Sequence, residues 1–161
     1  MRKIFAILVA LVMCAVFAPL AGADDHAYIT VTLSPTATAS ITVDPTTWNG
    51  AGAGIGAWGN SSSTAFNLSN VGTVQCSIQI NGSNTAAWTL AGSNGYNQFY
   101  LGYILGGEHT ITTSPAAFGS ALPAGGGGTY YETFGLHVHM PTASSTNTPQ
   151  HLTITFAATA T

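Results

Sequence analysis

Apolar and polar residues alternate along most of this chain. Ala27, Ile29, Val31 and Leu33 alternate with His26, Tyr28, Thr30 and Thr32. The same beat runs through Ala37, Ala39, Ile41 and Val43, then Phe66 and Leu68, then Val74, Cys76, Ile78 and Ile80. It returns at Trp88 and Leu90, at Phe99, Leu101 and Tyr103, at Phe134 to Met140, and at Leu152, Ile154, Phe156 and Ala158. A period of two sends alternate side chains to opposite faces of a strand, one toward a core and one toward water. Turn-forming clusters separate the runs: Ser34-Pro35, Asp44-Pro45, Asn70-Val71-Gly72, Asn81-Gly82, Ser93-Asn94-Gly95 and Pro141. No stretch of useful length repeats at the helical period. Short alternating runs with turns at this spacing predict an all-β chain, an antiparallel sandwich or barrel.

Two stretches break the alternation. Trp48 to Ser63 is a glycine-rich loop framed by two tryptophans, and Ser114 to Gly128 is a second long loop. Neither has GxGxxG opening a helix or a GK[ST] motif, so a phosphate cradle is not indicated. Loops this long in a compact domain are usually functional or flexible. Contacts between subunits, or with a glycan, are the use expected of them.

The first residues read differently. Arg2 and Lys3 precede an apolar run from Ile4 to Leu20, followed by Ala21-Gly22-Ala23 and Asp24-Asp25. This is the grammar of a secretory signal peptide, cleaved after Ala23. The expected organisation is therefore a signal peptide at 1–23 and one domain at 24–161, in a secreted protein at the cell surface. Arg2 and Lys3 are the only basic residues of the chain. A mature chain without Lys or Arg cannot neutralise phosphates, which argues against nucleic acid and anionic lipid as partners. It also excludes a Lys Schiff base or an Arg clamp. One cysteine, Cys76, remains, so no intramolecular disulfide is expected. Its phase with Val74, Ile78 and Ile80 marks it as a buried apolar side chain. Stability has to come from the core, and the remaining length suffices for one.

Only 4% of the chain is charged, against about 25% in an ordinary soluble domain. Thr, Ser, Asn and Gln occupy the polar faces instead. Such a surface has little charge repulsion to keep copies apart. Either sugar covers it or it associates. Sequons at Asn60, Asn67 and Asn81 are candidate glycosylation sites, though N-x-[ST] arises by chance in Ser-rich chains.

The stretch FNLSNVGTVQCSIQINGSNTAAWTLAG reads as strand, turn, strand and a tryptophan strand. With NQFYLGYIL and the terminal FGLHVHMPTASSTNTPQHLTITFAATAT, it resembles the Ig-like subunits of prokaryotic extracellular fibres, of the TasA/camelysin-like and archaeal bundling-pilus type. The likeness runs over residues 64–161 and rests on pattern. It implies an Ig-like or jelly-roll subunit that polymerises by donating a strand to its neighbour. No catalytic residue is carried over from it, and HExxH is absent.

Candidate chemistry centres on histidine. Between the core-facing Leu136, Val138 and Met140, His137 and His139 share the outward phase, as does His151 beside Leu152 and Ile154. If 134–140 and 151–157 form a hairpin, His139 lies opposite His151, close enough to share an ion. Three imidazoles with an open position suit Zn or Cu. The favoured alternative is a wet strand face that happens to carry histidine. Enzyme chemistry has thinner support: Glu108 and Glu132 are the only carboxyls outside the N-terminal segment and Asp44, nothing in the sequence brings them together, and GxSxG is absent. Trp48, Trp58, Tyr96 and Tyr100 are candidates for a sugar-stacking platform.

These readings converge on a non-enzymatic, self-assembling extracellular protein without a resident cofactor. In it Ala27, Ile29, Val31 and Leu33 form the donor strand, within 24–34, and the chain's partner is another copy of itself. The alternative is a monomeric secreted module that binds carbohydrate or metal. The intact mass of the exported protein is expected to lack residues 1–23. Trypsin is expected to leave that form uncut even when it is unfolded; cleavage, or retention of Arg2 and Lys3, contradicts the assignment.

Overall fold

The computed structural model describes residues 37–50, 54–125 and 130–161. The signal peptide and donor-strand expectations fall outside the described residues. Ten strands make up the described chain: β1 (Ile41–Asp44), β2 (Trp58–Asn60), β3 (Phe66–Asn70), β4 (Cys76–Gly82), β5 (Thr89–Leu90), β6 (Gln98–Ile104), β7 (Glu108–Thr110), β8 (Ala116–Ala117), β9 (Tyr130–His139) and β10 (Ile154–Ala160). No helix occurs among the described residues. The all-β expectation holds, and the alternating runs from Ile41 onward fall on strands.

The strands form two sheets. The larger runs β1-β3-β9-β6-β5, with β2 also on β9 and β7 also on β6. The smaller runs β10-β4-β8. Strand β9 organises the larger sheet. Its first half pairs with β3, from Asn70↔Tyr130 to Phe66↔Phe134. Its second half pairs with β2, from Asn60↔His137 to Trp58↔His139. So β2 and β3 follow one another along one edge of β9 while β6 takes the other edge. The short connection between β2 and β3 crosses β9 at Gly135, where an added Cβ would collide with the Ser62 carbonyl. Leu136 anchors the crossing: its N–H donates to Ser61 Oγ at 2.7 Å and its carbonyl accepts from Ser61 N at 2.8 Å.

Every strand pair is antiparallel except β5 with β6, which is parallel. A wholly antiparallel arrangement is corrected at that point. The hairpin between 134–140 and 151–157 is corrected too. Strand β10 pairs with β4, in the other sheet, from Ile154↔Gly82 to Ala160↔Cys76.

One apolar cluster draws on both sheets. Leu68, Phe99, Leu101, Phe134, Leu136 and Val138 come from the larger, and Cys76, Ile78 and Ile80 from the smaller. Phe118 stands at the centre, edge-on to Phe134 at 5.1 Å and to Phe156 at 5.2 Å. The stretch read as a second long loop, 114–128, is therefore not all loop over its described part: Phe118 and Leu122 are buried and Ala116–Ala117 is β8. Likewise, the loop 48–63 contains β2. Cys76 is fully buried and free, and burial pushes its thiol pKa up. It is the inert core residue that the pattern predicts.

One polar side chain lies inside this cluster's boundary. Asn70, 1% exposed, ends β3. Its Nδ2 donates to Val74 O at 2.9 Å, Pro123 O at 2.8 Å and Leu122 O at 3.2 Å, and its Oδ1 accepts from Gly72 N at 2.9 Å. Leu122 in turn exchanges backbone hydrogen bonds with Cys76 of β4. One side chain thus joins the end of β3 to the segment that bridges the smaller sheet. Asn70→Ala takes this donor from the Val74 and Pro123 carbonyls, while Leu122 O keeps its bond from Cys76 N, at about 1–3 kcal/mol for each buried group left unsatisfied. A loss of roughly 2–4 kcal/mol in chemical denaturation is expected; a loss below about 0.5 kcal/mol would contradict the clamp.

Candidate functional site

The two sheets do not cover one another fully. A groove of ≈ 1530 Å³ opens between them. Its floor is the apolar face of the larger sheet: Phe66, Phe99, Leu101, Phe134, Leu136 and Val138. Leu152, Ile154 and Phe156 form one wall, and Val43, Pro45 and Trp48 another. The wall residues Leu152, Ile154, Phe156, Val43 and Trp48 are half-exposed although they pack on the core. That is unusual for inward positions of a strand, and it follows from strand count. Strand β10 is the last strand of its sheet, and among the described residues no strand pairs with its other edge.

The far end of the groove is held by side chains. Gln150 Oε1 accepts from Thr85 Oγ1 at 2.9 Å and Ala87 N at 3.0 Å. Trp88 Nε1 donates to Ser144 Oγ at 2.8 Å. These bonds fix the 144–150 segment beside β5, so this end of the groove is preformed.

The opposite face of the larger sheet carries the histidines, and it differs from expectation. His137 is 5% exposed and not on a wet face. Its neighbour across the strand pair is Gly102, where any Cβ would collide with the imidazole. The missing side chain makes room for the ring to lie down on the sheet. Trp58 and Tyr100 close over it at ring distances of 5.5 Å and 5.6 Å. His137 Nε2 lies 3.4 Å from Glu108 Oε1, yet it is not aligned for a hydrogen bond and has no other partner. The two atoms therefore stand close without a hydrogen bond between them.

Around it the face is ordered. Trp58 stacks on His139 at 4.2 Å and 15° and meets Tyr100 edge-on at 5.7 Å. His139 Nε2 lies 3.1 Å from Gly56 O; a carbonyl can only accept, so this nitrogen carries the proton. Tyr100 OH donates to Glu108 Oε1 at 3.2 Å and lies 3.1 Å from Thr110 Oγ1. Burial, with the Glu108 carboxylate adding to it, holds the Tyr100 phenol above its usual pKa.

The other sequence candidates separate. His151 is exposed and precedes β10, so the pairing that was to set it opposite His139 does not form. Among the described residues no group of three His, Cys, Asp or Glu side chains is placed to hold a metal ion. Trp48 lines the groove, while Trp58 and Tyr100 meet on the opposite face. Tyr96 is exposed, and its backbone bridges to Ala143. The four aromatics are not one platform. Of the sequons, Asn60 is exposed in β2, whereas Asn67 and Asn81 are half-buried in β3 and β4. Glu108 joins the histidine face through the β6–β7 hairpin, Tyr103↔His109, which no sequence spacing announced.

Comparison of the sequence with models of known protein families returns no match, and comparison with curated proteins returns none either. The functional reading therefore stands on geometry.

Tyr100 and Tyr103 both carry phenol pKa values raised mainly by burial. In the unfolded chain they ionise near 10.0; in the fold they ionise later. Stability is then level below pH 10 and falls as pH rises from there through the folded values. Tyr100 and Tyr103 are expected to titrate late by ultraviolet absorbance, and Tyr100→Phe should flatten the alkaline fall in Tm. Ionisation of both near 10.0 in the folded protein would contradict this.

Proposed function

We propose that this chain is a secreted, non-enzymatic subunit of an extracellular filament, a β-sandwich of Ig-like or jelly-roll type whose open groove takes a strand from a neighbouring copy. The groove bordered by the free edge of β10 carries the reading. An added strand there gains main-chain hydrogen bonds from the edge and pockets for alternate side chains. Ala27, Ile29, Val31 and Leu33 have that alternation. Burying each of the three larger ones contributes about 1.5–3 kcal/mol, on the scale of the estimated ~4–15 kcal/mol cost of association.

Three further features support this reading. Edges usually carry charge, often Lys, to prevent pairing with another chain, and β10 reads ITFAATA, with none. The sparsely charged surface offers little repulsion between copies. Thr38 is tied to Thr73 by a 3.0 Å hydrogen bond from its N–H and a 2.9 Å bond to its carbonyl. That anchor stands beside the Asn70 end of β3, at the opposite end of β1 from the Pro45–Trp48 wall.

Electron microscopy of the exported protein is expected to show regular fibres. Deleting residues 24–34 should leave a destabilised monomer that a peptide of that sequence rescues. Ile154→Lys, placed in the wall, should block assembly while the monomer stays folded. If the intact chain is a monodisperse monomer, the groove is filled by its own segment and the filament reading is wrong. Native fibres from the deletion variant would overturn the donor assignment.

A further inference from the structure

On the face opposite the groove, we infer that Trp58 and Glu108 form a binding site for an uncharged pyranose-containing glycan. The inference does not depend on filament formation.

The first support is a preset aromatic surface. Trp58 is 48% exposed, yet it is not a loose side chain. His139 stacks against it, and Tyr100 and His137 meet it edge-on. A ring held in this way loses little freedom when a ligand lands on it. A pyranose offers a patch of C–H groups to such a face.

The second support is a positioned acceptor on the same face. Glu108 lies on β7 with its side chain 60% exposed. Tyr100 OH donates to its Oε1, and the buried imidazole of His137 lies beside that oxygen. A carboxylate only accepts, and the exposed part of Glu108 is open to donors, which sugar hydroxyls supply in pairs. Asn60 and Thr110 extend the same row of the sheet, through Asn60↔His137, Gly102↔His137 and Gly102↔Thr110. They add amide and hydroxyl groups at its two ends.

Composition and shape narrow the ligand class. Beyond Lys3 the sequence has no Lys or Arg, so a sulfated or uronic glycan finds no countercharge. A cationic ligand would prefer several aromatic faces around it. Here Tyr100 is buried and turned edge-on, which leaves one flat indole face. That geometry suits a neutral sugar ring better than an ammonium group.

The test is a titration of the intact exported protein with cellotriose, chitotriose, mannotriose and maltotriose, followed by tryptophan fluorescence and calorimetry. At least one is expected to bind with a Kd on the order of 1 mM, as a single stacking site with a few hydrogen bonds allows. Trp58→Ala and Glu108→Gln should each weaken it by about tenfold or more. Tyr96→Ala, on an exposed tyrosine outside the face, and Ile154→Lys, in the groove, should leave it unchanged. Glu108→Gln keeps shape and folding, so it decides the matter if Trp58→Ala destabilises the chain. No binding by any of the four at about 10 mM, binding that survives both variants, or binding of choline in place of the sugars would overturn the proposal.

Discussion

The feature on which the rest of the structure depends is an imbalance between two apolar surfaces. The larger sheet presents an inner face from Phe66 to Val138, and the smaller sheet has three strands to set against it. Each apolar side chain left at the boundary forgoes about 25 cal/mol per Å² of area that stays wet. The partly exposed Leu152, Ile154 and Phe156 are the visible result. The groove's far end is braced instead by hydrogen bonds through Gln150 and Ser144, which keep the opening from collapsing.

Much of this fold was legible because strands announce themselves by period. Ile41–Asp44, Phe66–Asn70, Cys76–Gly82, Gln98–Ile104 and Ile154–Ala160 all fall on alternating runs. What escaped has physical reasons. Phe118 and Leu122 are isolated apolar residues in a Gly- and Pro-rich stretch, so no periodicity betrays that they enter the core. Strand β2 is three residues long inside a glycine-rich loop, and its pairing is fixed by β9 and not by its own sequence. The pairing of β10 with β4 is a long-range choice, and adjacency in sequence pointed to the wrong partner.

The histidines show the same limit from the other side. Alternation correctly placed His137 and His139 on the face away from Leu136 and Val138. It could not show that this face is covered. Burial of His137 depends on Gly102 in one neighbouring strand and Trp58 in the other, and neither relation is visible along the chain. The groove was equally hidden, since it arises from how the two sheets face one another and not from any single residue.

Strand β9 carries both surfaces at once. Its even-numbered residues Phe134, Leu136 and Val138 floor the groove, while His137 and His139 build the opposite face with Trp58, Tyr100 and Glu108. A slip of one residue in register would exchange the two sets. Two contacts resist that slip. Gly135 lies where the Ser61–Ser63 crossing leaves no space for a side chain, and Gly102 lies where the His137 ring needs the room. In a slipped register Phe134 or Leu136 would fall where Gly135 now faces the crossing, and a backbone carbonyl would have to give way. The same two glycines that let the chain pack closely therefore also decide which face is apolar and open and which is aromatic and polar. Both candidate surfaces rest on that one choice of register.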